Sequence, residues 1–141
     1  METRVRALFV KREKGERPVS LQSVQVISGG FDGDHHTGLS KRRQILLMSG
    51  SVLDELHIEP GAISENMVID GLDVMSLDQG QRLKIGDAVV AVTVPCDPCI
   101  QMDRIRSGLQ GDLQYRRGMF VKVVAPGTVR VGDPVQVLWQ Q

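Results

Sequence analysis

The chain has 141 residues, 17 basic and 17 acidic, with three Phe, one Tyr and one Trp. That length suits one domain around one hydrophobic core, while balanced charge and few stacking rings argue against a nucleic-acid-binding module. No apolar run approaches the roughly 20 residues that cross a bilayer, so neither nucleic acid nor membrane is an expected partner.

The N-terminus, Met1-Glu2-Thr3-Arg4-Val5-Arg6, begins with charge and leads into a strand-like run, unlike the basic-then-apolar layout of a secretory signal. A cytoplasmic location is expected. Both cysteines are then reduced at rest and read as reactive or ligating groups rather than as a structural disulfide. Fifteen glycines punctuate short Val/Ile/Leu runs, the mark of many short strands and tight turns.

In chain order, the first strands are expected over Arg4–Val10 and Val19–Ser28, separated by a charged exposed loop at 11–18. The run Gly29-Gly30-Phe31-Asp32-Gly33-Asp34-His35-His36-Thr37-Gly38 is dense in Gly and Asp and marks a loop with unusual backbone angles. Its two His residues suit a metal, a proton relay or a phosphate, or else a surface Asx turn. Arg42, Arg43 and Gln44 lead into a strand over Arg43–Met48, where a guanidinium can clasp an anion bidentately or simply face solvent.

Ser51 is expected to cap a short helix through Leu56, with acids in its first turn. Pro60-Gly61-Ala62-Ile63-Ser64-Glu65-Asn66 then sets a Glu–Asn pair just before a strand at Asn66–Ile69. Asn66 carries donor and acceptor functions that suit a heterocycle edge, and Glu65 can equally satisfy loop backbone. Strands over Gln81–Ile85 and Ala88–Val94 flank Gly86-Asp87, and strands over Thr128–Val131 and Pro134–Leu138 flank Gly132-Asp133. Gly-Asp at a corner supplies a permissive φ and a self-capping carboxylate, so a repeated sheet corner is expected there and not a ligand site. Pro134 lacks an N–H and should open its strand or lie at an edge.

Between them lies Val94-Pro95-Cys96-Asp97-Pro98-Cys99. Two prolines stop the preceding strand, and Cys99 falls at the expected opening of a helix over Ile100–Ser107, stopped by Gly108. A helix start favours a thiolate, hence a nucleophile or soft metal ligand. Cys96 makes the pair a C-x-x-C, for which a redox dithiol, half of a zinc site completed by His35 and His36, and a lone working Cys99 with an auxiliary Cys96 compete; the last is favoured. A short turn at Asp112–Arg117, ended by Gly118, precedes a strand over Met119–Val124. The trailing Trp139-Gln140-Gln141 reads as a tail.

Taken in order, Gly33-Asp34 with His36, Arg43-Gln44, Pro60-Gly61 with Glu65-Asn66, Leu83-Lys84-Ile85-Gly86-Asp87, Pro95 with Pro98-Cys99, Arg117-Gly118 and Val129-Arg130-Val131-Gly132-Asp133 resemble the MOSC family, named for the C-terminal domain of molybdenum cofactor sulfurases. The resemblance runs from about residue 29 to 138 and implies one MOSC domain over 1–141. Ser64 stands where the family usually has Gly, and Cys96 where a basic residue is frequent. The implied fold is mainly β: a twisted closed β-barrel, like the MOSC or pyruvate-kinase barrel, with a few short peripheral helices.

The resemblance implies that Cys99 is the catalytic thiol and the ligand of molybdenum in a molybdenum–pterin cofactor. Arg43, Asn66, Thr93, His36 and Glu65 would hold the cofactor, with Cys96, Asp34 and Arg117 auxiliary; haem and NAD are not implied. The reaction implied is reduction of N-hydroxylated compounds. No aminotransferase-like domain or ferredoxin-type cysteine cluster lies within these residues, so electrons are expected from a separate electron-transfer partner. The alternative is a sulfur carrier holding a persulfide on Cys99, loaded by a desulfurase, and a third reading is a zinc-stabilised or structural binding module.

Overall fold

A computed structural model describes residues 2–138; the expected tail at 139–141 lies outside them. The described residues are mainly β, with three short helices and one 3-10 turn. Strands β1 (Arg4–Val10), β2 (Val19–Leu21), β5 (Ile45–Ser49), β6 (Met67–Asp70), β7 (Arg82–Ile85), β8 (Ala88–Pro95), β9 (Met119–Ala125) and β11 (Val135–Leu138) form one sheet in the order β11-β7-β8-β9-β5-β6-β1-β2. Strands β3 (Ser23–Ile27), β4 (Gly30–Phe31) and β10 (Gly127–Arg130) form a second sheet, in the order β10-β3-β4. All pairs are antiparallel except β5–β6.

The larger sheet curls strongly. Its end strands β11 and β2 do not pair among the described residues, so the ladder is not one continuous cylinder. A narrow seam joins the start of β1 to the approach to β11 instead: the Val5 N–H donates to the Asp133 carbonyl at 2.9 Å, the Gly132 N–H to Val5 at 2.8 Å and the Val135 N–H to Thr3 at 2.9 Å, with a bridge between Arg4 and Pro134.

Alternation explains what fills the curl. On β5, Ile45 and Leu47 point into the main core and Met48 into a second one; on β6, Met67 and Ile69 point inward and Val68 outward, the period-2 rule of a sheet covered on both faces. On β1, Val5 and Leu8 share the inner face although three residues apart, because the β1–β6 register shifts between Val5 and Ala7, as a bulge permits. The outer core packs α1 (Gly50–Glu55), α2 (Met102–Ile105) and α3 (Leu109–Asp112) onto the sheet through Leu53, Met102, Leu109 and Leu113. The Arg6 guanidinium binds Asp70 and Asp54 together, tying α1 to the β1–β6 pair.

Several expected elements differ. The strand expected over Val19–Ser28 breaks at Gln22, and its halves enter different sheets. Ser49, not Ser51, precedes α1, and its hydroxyl makes no cap; it serves Leu72 and Val74 instead. Asp54 and Glu55 fall in the last turn, so the helix has no acid in its first. The helix expected over Ile100–Ser107 is a single turn, α2, and Gly108 does not end it: at φ 85° it starts α3. The paired Gly-Asp corners are only half alike. The one at Gly86-Asp87 joins β7 to β8 as a hairpin, whereas the one at Gly132-Asp133 carries the chain from one sheet to the other. There the Asp133 carboxylate accepts from the Arg130 N–H at 2.8 Å, the self-capping role expected. β11 starts just after Pro134 and lies at the sheet edge.

Candidate functional site

The outer face of β5, β8 and β9 is left open where the loops before β5 and after β8 rise above it. Leu46 and Phe120 alternate out of the core on β5 and β9, and they floor a cavity of about 370 Å³. Its wall brings together His36 from the Gly-rich loop, Arg43, Asn66, Cys96 and Arg117. Five expected site residues from five sequence segments therefore converge.

Cys96 is held at the cavity because β8 runs past a register shift to Pro95 and the Cys96 N–H then donates to the Gly118 carbonyl at 2.9 Å. Burial pushes its thiol up, and the Arg117 and Arg43 charges pull it back only in part. Cys99 is exposed and is not part of the cavity wall. The helix that was expected to begin at Cys99 starts only at Met102, with the Met102 N–H bonded to the Cys99 carbonyl at 3.0 Å. A four-residue turn provides no appreciable macrodipole, so the helix-start argument for the thiolate does not apply.

Arg117 is only 6% exposed. Its Nη2 donates to the Ile63 carbonyl, while Nη1 is buried with no partner. Behind it Glu65, 1% exposed, lies on a narrow recess shared with His36 and Asn66. Burial pushes the Glu65 carboxyl up, against the opposing pull of the Gly61, Glu65 and Ile63 backbone and the Arg117 charge. Neither carboxylate oxygen makes a well-formed hydrogen bond. Arg43 reaches over the Phe120 ring, its Cζ 5.9 Å from the centroid, a cation–π arrangement. Burial, and then the neighbouring His35, lower the His36 imidazole, against the raising influence of Asp34; it is therefore neutral at pH 7.

Three expected site residues have structural work. The buried Asp34 accepts from the backbone N–H groups of Lys11 (2.9 Å) and His36 (3.0 Å) and so shapes the loop. Thr93 is buried with its hydroxyl between the carbonyls of Arg42 and Phe120, outside the cavity wall. Asn66 touches the cavity, yet its Oδ1 accepts from the Leu46 N–H at 3.0 Å and its Nδ2 donates to the Phe9 carbonyl at 3.3 Å. It clamps β5 to β1 just where β6 begins. Replacing Asn66 by Leu leaves both backbone groups unsatisfied and is expected to cost about 2–4 kcal/mol, measurable by urea unfolding; a loss below about 0.5 kcal/mol would contradict the clamp.

Sequence reasoning missed Leu39, Leu46 and Phe120, because an apolar residue that floors a cavity has the same pattern as one that fills a core. Ser64 also lines the wall and takes φ 66°, a left-handed conformation that glycine adopts without strain. Among the described residues no three His, Cys, Asp or Glu side chains converge on a common point, so Cys96, Cys99, His35 and His36 do not assemble the closed zinc site considered from sequence.

A family model described as the MOSC domain matches residues 32–136. The human mitochondrial amidoxime-reducing component 1 is 27% identical over 124 aligned residues, covering 68% of this chain and 37% of that protein; the chain thus spans little more than a third of that relative. The crystal structure of YuaD from Bacillus subtilis superposes with a TM-score of 0.86 at 24% identity, covering 100% of this chain and 98% of that one. YiiM from Escherichia coli gives 0.73 at 21% identity, covering 98% and 71%. These two likenesses establish the fold.

Proposed function

Because the chain belongs to the MOSC domain family, we propose that its cavity binds a molybdenum–pterin cofactor and that it reduces N-hydroxylated compounds with electrons from a separate donor. The seam-joined, curled sheet is read here as the twisted closed barrel expected from the sequence. One observation carries the functional reading: a buried guanidinium with an unpartnered Nη1, Arg117, on the wall of the same cavity as a thiol, Cys96. A buried donor without a partner costs free energy unless something else satisfies it, and an anionic group in the cavity does so. The size, at about 370 Å³, lies within the roughly 300–1,000 Å³ of small-molecule sites.

The residues present fit such a group. Arg117 and Arg43 would bind its phosphate, Phe120 and Leu46 would shield its ring system from water, and Asn66 would keep the floor in register. A thiolate suits a high-valent soft-ligand metal. Family correspondence gives that ligand as Cys99, while the cavity itself holds Cys96. When bound, the cofactor supplies two-electron chemistry, in the balance R–C(NH2)=N–OH + 2 e⁻ + 2 H⁺ → R–C(NH2)=NH + H2O. The amidoxime class is the one named in the human relative. Neutral His36 at the rim is a group able to pass one of those protons inward.

The test is the molybdenum and pterin content of protein made in a host with an intact cofactor pathway. Stoichiometric metal and pterin are expected, with loss of metal in Cys99→Ser or Cys96→Ser identifying the ligand. Protein free of both would overturn the reading.

The exposure of Cys99 favours a second reading, a persulfide carrier. Transfer from a desulfurase persulfide would then follow E–S–SH + Cys99–S⁻ → Cys99–S–SH + E–S⁻, which requires an accessible sulfur. Intact mass after incubation with desulfurase and cysteine should rise by one sulfur atom, and not in Cys99→Ser. Loading that survives that substitution would eliminate it.

A further inference from the structure

A second concavity, of about 470 Å³, lies on the outer face of the sheet beyond the cavity already described. Strand register sets its floor. Arg82 of β7 pairs with Ala91 of β8, and Ala91 pairs with Lys122 of β9. Residues directly opposite on neighbouring strands share a face, so one small side chain sits between two long cationic ones. Ala91 is 5% exposed but belongs to neither core cluster, as expected if it faces outward beneath its neighbours.

The opposite rim is the segment before β5. Two residues along β8 from Ala91, and on the same face, Thr93 is bonded to the Arg42 carbonyl. That contact holds the segment over the sheet and sets Lys41 and Arg42 at the edge of the groove. Among the described residues, the head groups of Lys41, Arg42, Arg82 and Lys122 make no ion pair. No carboxylate lines the groove. In a chain of zero formal net charge, four unpaired cations at one concave site produce a local positive field that is strengthened by the low-dielectric sheet beneath it.

We infer that this groove binds the polyphosphate moiety of a small molecule. The small floor residue leaves room for a compact polyanion between Arg82 and Lys122, and guanidiniums bind phosphate oxygens bidentately. The concave shape and the size, again within roughly 300–1,000 Å³, favour a small ligand over an extended macromolecule. This inference does not depend on the cofactor reading, since none of the four cations belongs to the first cavity.

Inorganic pyrophosphate titrated into 15N-labelled protein at low ionic strength tests it. Saturable shifts are expected at the amides of Ala91, Thr93 and Lys122. The double variant R82Q/K122Q should bind about tenfold more weakly or worse, and salt near 0.3 M should have a similar effect. Both substitutions are at exposed positions, so the variant should keep the wild-type spectrum elsewhere. The inference is overturned if there are no saturable shifts, or if the double variant retains the affinity. It is also overturned if a single-stranded oligonucleotide binds more tightly than pyrophosphate, because the groove would then serve nucleic acid.

Discussion

Arg117→Met is expected to lower the unfolding free energy by roughly 3–5 kcal/mol, because it strips the Ile63 carbonyl of its charged donor and leaves the buried Glu65 carboxyl without a compensating positive charge. The Arg117 charge opposes the burial that raises the Glu65 carboxyl, and Glu65 is almost wholly buried without a well-formed hydrogen bond. The pH dependence follows from the direction of the Glu65 shift. Its carboxyl is raised in the folded state, so its contribution is fully present below the unfolded pKa and is lost as pH rises through the folded value. Removing Arg117 raises the folded value further and widens that window. Urea unfolding of Arg117→Met should therefore show a deficit that shrinks as pH falls from about 8 to about 5. Adding Glu65→Gln should remove most of this slope and recover part of the loss. A variant within about 1 kcal/mol of the parent, with no added pH slope, would show that the two groups are not coupled.

Gly118→Ala should be comparably damaging, by about 2–4 kcal/mol, through strain at a left-handed position combined with a clash. Gly118 has φ 129°, and an added Cβ would lie 2.6 Å from the Leu47 carbonyl oxygen and 3.0 Å from the Leu46 side chain. Leu46 floors the cavity, and the Gly118 carbonyl holds Cys96 in place. The substitution should therefore disturb the site as well as the fold. In a Cys99→Ser background, maleimide labelling of Cys96 is expected to accelerate severalfold in Gly118→Ala as the thiol leaves its half-buried position. Unchanged labelling together with an unchanged melting temperature would refute this account.

Much of this arrangement could be read from the residues in order. Short Val/Ile/Leu runs between glycines gave most of the strands, since alternation and turn chemistry are local properties. His36, Arg43 and Asn66 were picked out by type and neighbourhood and Arg117 only through the family resemblance, and the four do meet. What those side chains are bonded to was not legible. Asp34, Thr93 and Asn66 are the polar types a ligand site needs, and equally the types that satisfy stray backbone groups; only the fold shows that much of their bonding goes to the chain itself. The order of the two thiols was also hidden. Spacing places Cys96 and Cys99 together, but which of them faces the cavity depends on how β8 ends and on the Gly118 contact, a pairing across 22 residues. The helix expected after Pro98 shrinks to one turn and a second turn follows Gly108, because Met102, Leu109 and Leu113 all bury onto the sheet and Gly108 at positive φ redirects the chain between them.

The seam between Thr3–Val5 and Gly132–Val135 joins stretches some 130 residues apart. Bringing such distant stretches together carries a large loop-closure entropy cost, recovered only once the rest of the sheet is in place. The seam should consequently be the last contact to form and, with only a few bonds, the first to breathe. Amide hydrogens at Val5, Gly132 and Val135 should then exchange with solvent through openings that leave the protons of β5 and β8 protected, so that the protein opens along a fixed hinge line long before it melts.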